Sequence, residues 1–244
     1  MIKINNLTKK YKDKLAVDNL NLEIKTGELF SLLGTNGAGK TTTIKMLSTL
    51  ILPTSGEVEI NNLDLVKDSS KIKEIINISP QETAVASNLT VLENLYFMAG
   101  IYQIPNKEDK IKELIKLFKL EEVLKQKAKT LSGGYQRKLS IAISLINDPK
   151  ILFLDEPTLG LDVISRHDLW KIIELLKGKT TIILTTHYME EAEVLSDRIG
   201  IMNKGKLIEL GTSKELIKKT KTKKFEDAFI KIIKEDNNEN TNIC

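Results

Sequence analysis

With 244 residues, 41% of them hydrophobic, the chain is long enough for one large α/β domain and too apolar for global disorder. Its 37 basic and 33 acidic side chains leave a formal charge of +4, with Lys interleaved with Glu and Asp; that reads as solvated faces and excludes a nucleic-acid footprint. With one cysteine, Cys244, as the last residue given, the expectation is no disulfide framework, no cysteine metal cluster and no prenylation box. No signal-peptide core is present, and no apolar run approaches the ~20 residues of a membrane span. The expectation is a soluble cytoplasmic chain whose membrane role, if it has one, comes through a partner.

Residues 1–25 alternate apolar and polar (Leu15, Val17, Leu20, Leu22, Ile24), which predicts antiparallel strands. The run Glu28-Leu29-Phe30-Ser31-Leu32-Leu33 predicts a buried strand, and Thr42-Thr43-Ile44-Lys45-Met46-Leu47 a helix. Between them lies Gly34-Thr35-Asn36-Gly37-Ala38-Gly39-Lys40-Thr41, a complete G-x-x-x-x-G-K-[ST] phosphate cradle. Its glycines let successive backbone N–H groups point at phosphate oxygens, and the helix N-terminus adds partial positive charge there. Lys40 supplies a point charge to the outer phosphates, and the Thr41 hydroxyl can ligate magnesium. A glycine-rich surface turn is the bland alternative, and the strand–loop–helix setting weighs against it.

Further along, residues 57–65 predict a hairpin turning at Asn61-Asn62, and 75–78 a strand. Gln81 follows that strand after Pro80; its amide could reach both a metal and a water. From about 85 to 135 the pattern is helical. Thr90 and Glu93 form a capping box before Leu92, Leu95, Tyr96 and Met98, and Pro105-Asn106 separates this helix from one carrying Ile111, Leu114, Ile115 and Phe118. Leu131-Ser132-Gly133-Gly134 then precedes a helix over about 135–146, with Ser132 as N-cap and the glycines permitting close approach of a ligand.

Ile151-Leu152-Phe153-Leu154 predicts a buried parallel strand that ends in Asp155-Glu156, at the sheet edge where α/β folds bind ligands. One carboxylate can hold magnesium while its neighbour polarises an attacking water. Thr181-Ile182-Ile183-Leu184-Thr185-Thr186-His187 repeats the theme, placing His187 just past a strand end. His167, in a helix with Trp170, Ile173 and Leu176, reads as structural. A third hairpin is expected around Asn203-Lys204-Gly205. After about 220 one short amphipathic segment is expected, and from Glu235 the chain is too polar to pack and should fray.

This ordered set resembles the nucleotide-binding subunit of ATP-binding cassette (ABC) transporters across about residues 1–215. Gly34 to Thr41 is similar to the family's Walker A loop, with Thr42 beside it, and Ile151 to Glu156 to its Walker B strand. Leu131-Ser132-Gly133-Gly134-Tyr135 resembles the signature, with Tyr135 where Gln is common; Gly160-Leu161-Asp162 resembles the D-loop, Gln81 the Q-loop and His187 the switch histidine. Tyr11 matches the aromatic that stacks on adenine. The implied fold is α/β: a P-loop NTPase core with a mostly parallel sheet, an N-terminal antiparallel β subdomain and an inserted helical subdomain at about 85–135. Residues 216–244 would form a short C-terminal helix and polar tail.

The resemblance implies ATP and Mg2+ as ligands, with Glu156, His187 and Gln81 catalytic. Tyr11, residues 34–42, Ser132, Gly133, Gly134 and Asp162 would bind nucleotide, and Thr41, Gln81 and Asp155 the metal. It also implies a second ATPase subunit, as a homodimer or a paired cassette, and an integral-membrane permease that holds the chain at the cytoplasmic face of the membrane. Ser79-Pro80-Gln81-Glu82, Thr185-Thr186-His187-Tyr188-Met189-Glu190-Glu191-Ala192-Glu193 and Phe225-Glu226-Asp227-Ala228-Phe229 are similar to ATPases of bacterial ABC-2-type exporters of drugs, antibiotics or sodium. Residues 83–89 with Tyr96, Phe97 and Tyr102 either receive a permease helix or pack inside the helical insert. A soluble ABC ATPase acting on ribosomes or nucleic acid is the competing class; the paired cassettes or coiled coils expected of it are not in this sequence.

Overall fold

A computed structural model describes the backbone of residues 1–241 and the side chains of residues 1–238. The order of elements is β1 (Ile2–Tyr11), β2 (Lys14–Ile24), β3 (Leu29–Gly34), α1 (Lys40–Leu47), β4 (Ser55–Ile60), β5 (Leu63–Asp64), α2 (Ser69–Ile75) and β6 (Ile76–Ser79). There follow α3 (Val91–Ile101), α4 (Lys107–Phe118), α5 (Gly133–Ser144), β7 (Ile151–Asp155), α6 (Val163–Leu176), β8 (Thr181–Thr186), α7 (Met189–Leu195), β9 (Arg198–Asn203), β10 (Lys206–Gly211), α8 (Ser213–Thr220) and α9 (Phe225–Thr241).

These strands form two sheets. One is antiparallel, in the order β2-β1-β4-β5, and carries the N-terminal alternation read from the sequence. The other runs β10-β9-β3-β8-β7-β6; all its pairings are parallel except that of β10 with β9. Every residue of β3, β7 and β8 is buried, because a parallel sheet covered on both faces demands continuous apolar strands. Phe30, Leu32 and Phe153 face β1, β2 and α1 on one side. Leu152, Leu154 and Leu184 face α3 to α6 on the other. The fold is that of a P-loop NTPase core with an antiparallel β layer and a block of helices.

Local chemistry explains the punctuation. Asn61 and Asn62 both take positive φ, 49° and 64°, as a two-residue hairpin requires, and Lys204 and Gly205 do the same between β9 and β10. The capping box at Thr90 and Glu93 is formed with both reciprocal bonds. A second box, Thr212 with Glu215, opens α8 and was not read from the sequence.

The C-terminus departs from expectation. From Glu235 the polar segment, expected to pack against nothing, continues α9 to Thr241, and the rest of it lies outside the described residues. Phe225, Ala228, Phe229 and Ile232 bury one face of α9 against β9 and α8, and Asn203 Nδ2 donates to Asp236 Oδ2 at 2.7 Å and Asn237 Oδ1 at 3.2 Å. A composition rule for disorder missed it because the anchoring apolar face lies earlier in the same helix. Cys244 lies outside the described residues. Among the described residues no helix is long and apolar enough to cross a membrane.

Candidate functional site

The C-terminal ends of β3, β7 and β8 meet at one edge of the parallel sheet, and the cleft there has a volume of about 430 Å³. Asn36, Gly37, Ala38, Gly39, Lys40, Thr41, Thr42, Gln81, Glu156 and His187 line it, together with Lys14, Ala16 and Leu159. Sequence segments as far apart as residues 36 and 187 therefore converge on one cavity, as open α/β sheets arrange at their carboxyl edge.

The cradle is shaped by its backbone. Gly39 has φ 103°, and a Cβ added there would come within 2.5 Å of Ala16 O, so only glycine fits. Gly37 has φ 80° with open space beside it, which leaves the loop's inner face clear. Lys40 opens α1 and is 5% exposed; its Nζ donates to Gly34 O at 2.8 Å and Thr35 O at 3.1 Å. Nζ also lies 3.4 Å from Glu156 Oε1, so this buried cation is held by carbonyl dipoles and one carboxylate.

The two acidic residues at the end of β7 are held differently. Asp155 Oδ1 accepts from Thr41 Oγ1 at 3.0 Å and from Thr185 Oγ1 at 2.5 Å, which joins the ends of β7, β8 and the cradle. Glu156 takes φ 49°, an uncommon conformation for a residue with a Cβ, and its N–H donates to Thr185 Oγ1 at 3.1 Å. Its Oε2 is 2.5 Å from His187 Nδ1, and in the Nδ1–H tautomer the imidazole donates to the carboxylate. Glu156 thus stands between Lys40 and His187, 7% exposed, at the floor of the cleft.

Gln81 lines the cleft from the loop after β6, and that loop is fastened to α5. Arg137 Nη1 donates to Pro80 O at 2.7 Å and Nη2 to Gln81 O at 2.5 Å. Burial pulls the guanidinium pKa down, while Asp155 and Glu191 push it up, and an arginine remains a cation throughout. One turn on, Ser140 and Ser79 share a bond of 3.1 Å, and Asn77 bonds Asn147 at 3.1 Å just beyond the helix. The loop and the strand before it are therefore both tied to α5 and the turn after it. No local pattern marks Arg137, because its partners are 56 and 57 residues away.

Other candidates stand apart from this cleft. Ser132 and Gly133 are exposed at the N-terminus of α5, with Ser132 Oγ accepting the Tyr135 N–H at 3.4 Å, and none of Ser132, Gly133 and Gly134 lines the cavity. Asp162 caps α6 through Ser165, which lowers its carboxyl pKa. Tyr11, at the end of β1, is 45% exposed beside Lys9 and also lies outside the lining; Lys14 and Ala16 of β2 occupy that rim instead. His167 stacks edge-on against Trp170 at 4.8 Å, as a structural residue would. Of the aromatics in the helical insert, Tyr102 is partly buried against the core, while Tyr96 and Phe97 are exposed.

An oxygen-rich donor set is in place for a hard cation. Thr41 and Asp155 bring their oxygens within 3.0 Å of each other, and among the described residues no cluster of three His, Cys, Asp or Glu side chains could cage a metal alone. That fits magnesium, which takes one or two protein oxygens and fills the rest of its octahedron with phosphate and water.

Comparison with known proteins agrees with this geometry. A family model described as ABC transporter matches residues 17–159. The linearmycin resistance ATP-binding protein LnrL of Bacillus subtilis (strain 168) is 41% identical over 219 residues, covering 88% of this chain and 70% of its own length. The phospholipid-transporting ATPase ABCA3 of Homo sapiens is 43% identical over 218 residues, covering 87% of this chain; the match spans only 13% of that much longer protein. Among solved structures, the dimeric post-hydrolysis state of the ATP-binding cassette MJ0796, bound to ADP and Pi, aligns with a TM-score of 0.79 at 30% identity, covering 87% of this chain and 98% of that one.

Proposed function

The chain belongs to the ABC transporter family and is an ATPase of it; from that premise we propose that it works as a head-to-tail dimer driving export through a separate membrane-spanning permease. The observation that carries the dimer is the separation of parts. The cleft holds the cradle, Glu156, His187 and Gln81, while Ser132 and Gly133 present a bare helix N-terminus to solvent elsewhere. A helix N-terminus with flanking glycines is suited to a phosphate, and a second copy would bring one to it.

In this reading ATP lies with its phosphates over residues 34–42. Lys40 exchanges its contact with Glu156 for phosphate oxygens, which frees the carboxylate to accept a proton from the attacking water. The bond from the γ-phosphorus to the β,γ-bridging oxygen breaks as the water oxygen bonds to phosphorus. His187, beside Glu156, contacts the transferred phosphoryl group, and Gln81 orients the water. Magnesium bound by Thr41 and Asp155, with Gln81 alongside, would neutralise charge on the β- and γ-phosphates. Asp162 and the signature turn act on nucleotide held by the partner. Tyr11 is the adenine-stacking candidate, and it reaches the base only if the base extends past the cleft lining toward the end of β1.

Export, and with it a permease partner and a place at the cytoplasmic face of the membrane, is the reading favoured by a relative named for linearmycin resistance, LnrL, which matches 88% of this chain and 70% of its own length. The exposed Tyr96, Phe97 and Ile101 of α3 are the apolar surface we assign to the permease. Glu156→Gln removes the proton acceptor and leaves the cradle intact, so the variant should form a stable dimer with ATP. A particle that stays monomeric by light scattering at saturating ATP would overturn the dimer. Pull-down of the same tagged variant from gently solubilised native membranes, read by mass spectrometry, should recover a polytopic protein. Recovery of ribosomal or DNA-associated proteins in its place would overturn the transport reading in favour of a soluble ATPase.

A further inference from the structure

Glu191 is a fully buried carboxylate for which the cleft chemistry has no use. It sits in the first turn of α7, directly after the segment that carries His187. Thr158 Oγ1 donates to its Oε1 at 2.8 Å, and Trp170 Nε1 of α6 donates to the same oxygen at 3.0 Å. Thr158 is itself fully buried, in the turn that follows Glu156. The chain segments Glu156-Pro157-Thr158 and His187-Tyr188-Met189-Glu190-Glu191 therefore meet twice: once at the Glu156–His187 contact in the cleft, and once behind it at Thr158–Glu191.

We propose that Glu191 is a positioning residue for hydrolysis, tying the turn behind Glu156 to the helix behind His187 so that these two side chains meet at working distance. The inference rests on the roles given above to Glu156 and His187. Three features support it. Glu156 occupies a left-handed conformation that needs its surroundings to hold it, and the Thr158 bond lies two residues away. No cation forms an ion pair with Glu191 among the described residues; Arg137 and Glu156 act on it only at longer range. A carboxyl group placed to hold an ionic charge would have a cation beside it, whereas one placed to accept hydrogen bonds needs only donors; here both donors converge on Oε1, and the buried Oε2 has no hydrogen-bond partner among the described residues. Burial raises its pKa, opposed by the hydroxyls of Thr186 and Thr158 and the indole of Trp170, and glutamine keeps the shape and the accepting oxygen of this side chain.

The test compares Thr158→Val, Trp170→Phe, Glu191→Ala and Glu191→Gln in the purified full chain, with ATP affinity and steady-state hydrolysis measured separately. Thr158→Val keeps the shape but cuts the tie to the Glu156 turn, and kcat should fall about tenfold or more while ATP affinity holds within about twofold. Glu191→Ala should behave likewise, and Glu191→Gln, which retains the accepting oxygen, should restore kcat to within about threefold of the parent. Trp170→Phe breaks the other bond to the same oxygen without touching the catalytic turn. It should lower stability and leave kcat near the parent value. Equal kcat losses in Thr158→Val and Trp170→Phe would reduce Glu191 to a general packing residue and overturn the proposal. So would an unchanged kcat in Thr158→Val. Glu156→Gln and His187→Ala, assayed alongside, separate the two levels: if they hydrolyse ATP normally, the assignment of the cleft itself has failed.

Discussion

Arg137→Lys tests whether the attachment of the Gln81 loop to α5 matters to catalysis. The guanidinium is 5% exposed and makes two hydrogen bonds, to Pro80 O and Gln81 O, from a planar fork that a lysine cannot copy. Each bond from a charged donor is worth roughly 1.5–3 kcal/mol, and lysine can keep at most one of them. The charge stays buried in either case, so its desolvation nearly cancels between parent and variant. The net loss is then one charge-assisted bond, or about 2–3 kcal/mol, since the part-exposed carbonyl that loses its donor can turn to water. For a chain of this size that lowers Tm by roughly 4–12 °C. If the bonds also hold Gln81 in register with the cleft, kcat should drop about tenfold while the cradle, and hence ATP affinity, is unaffected. Calorimetry and steady-state hydrolysis on the same preparation read both quantities. A variant with parental Tm would refute the hydrogen-bond accounting. A variant that loses Tm but keeps kcat at temperatures where it is folded would refute the link from Arg137 to Gln81.

Lys40→Ala should abolish measurable ATP binding in a fluorescent-nucleotide titration, because the cradle keeps its backbone donors but loses its only buried cation; unchanged affinity would contradict the cradle assignment. Gly39→Ala forces φ 103° on a residue with a Cβ that would lie 2.5 Å from Ala16 O, so denaturant unfolding should show a loss of about 2 kcal/mol or more together with weakened ATP binding. Glu191 gives a pH signature. Its folded pKa is raised above the ordinary 4.5, so the native state holds a proton the unfolded chain has released, and this contribution to stability is full below 4.5 and is lost as pH rises toward the folded value. Glu191→Gln cannot lose it. The stability of the variant relative to the parent should therefore climb with pH from about 4.5 upward, and a flat difference in urea unfolding across that range would contradict the raised pKa.

Much of this was legible in the sequence because it is written in contiguous residues. The buried strands β3, β7 and β8 announce themselves as unbroken apolar runs, and each ends in the polar residues that line or brace the cleft. The cradle is a single stretch of backbone, so its geometry is coded locally by Gly37, Gly39 and the helix after them. What stayed hidden lies in pairs far apart in the chain. Arg137 with Pro80 and Gln81, Thr158 and Trp170 with Glu191, and Thr185 with Asp155 are all side chains whose partners only the folded sheet brings near. Lys14 and Ala16 reach the cleft rim for the same reason, since the antiparallel layer packs across the cradle. The continuation of α9 was missed on other grounds: local polarity argued for fraying, but Asn203 and the apolar face before Glu235 hold the helix on.

If two copies pair as proposed, the same long-range pairs supply a route by which one subunit reports on two nucleotides. Its own cleft is floored by Glu156 and His187, which Glu191 ties together from behind. The turn proposed to meet a partner's nucleotide, Ser132 to Gly134, lies outside that cleft at the start of α5, the helix that carries Arg137 to the loop of Gln81 and Ser140 to the strand before it. A rigid α-helix transmits displacement at its N-terminus along its axis with little loss, because each turn is fixed by its own hydrogen bonds. A shift at Ser132 produced by a partner's phosphate would therefore reach Gln81 through the Arg137 bonds, and would bypass Glu191 altogether. The two tethers make separable demands: loss of the Glu191 tie should slow hydrolysis in each cleft alone, whereas loss of the Arg137 tie should also uncouple the clefts and lower the cooperativity of hydrolysis in ATP. A Hill coefficient unchanged in Arg137→Lys, with kcat reduced, would place the coupling elsewhere in the chain.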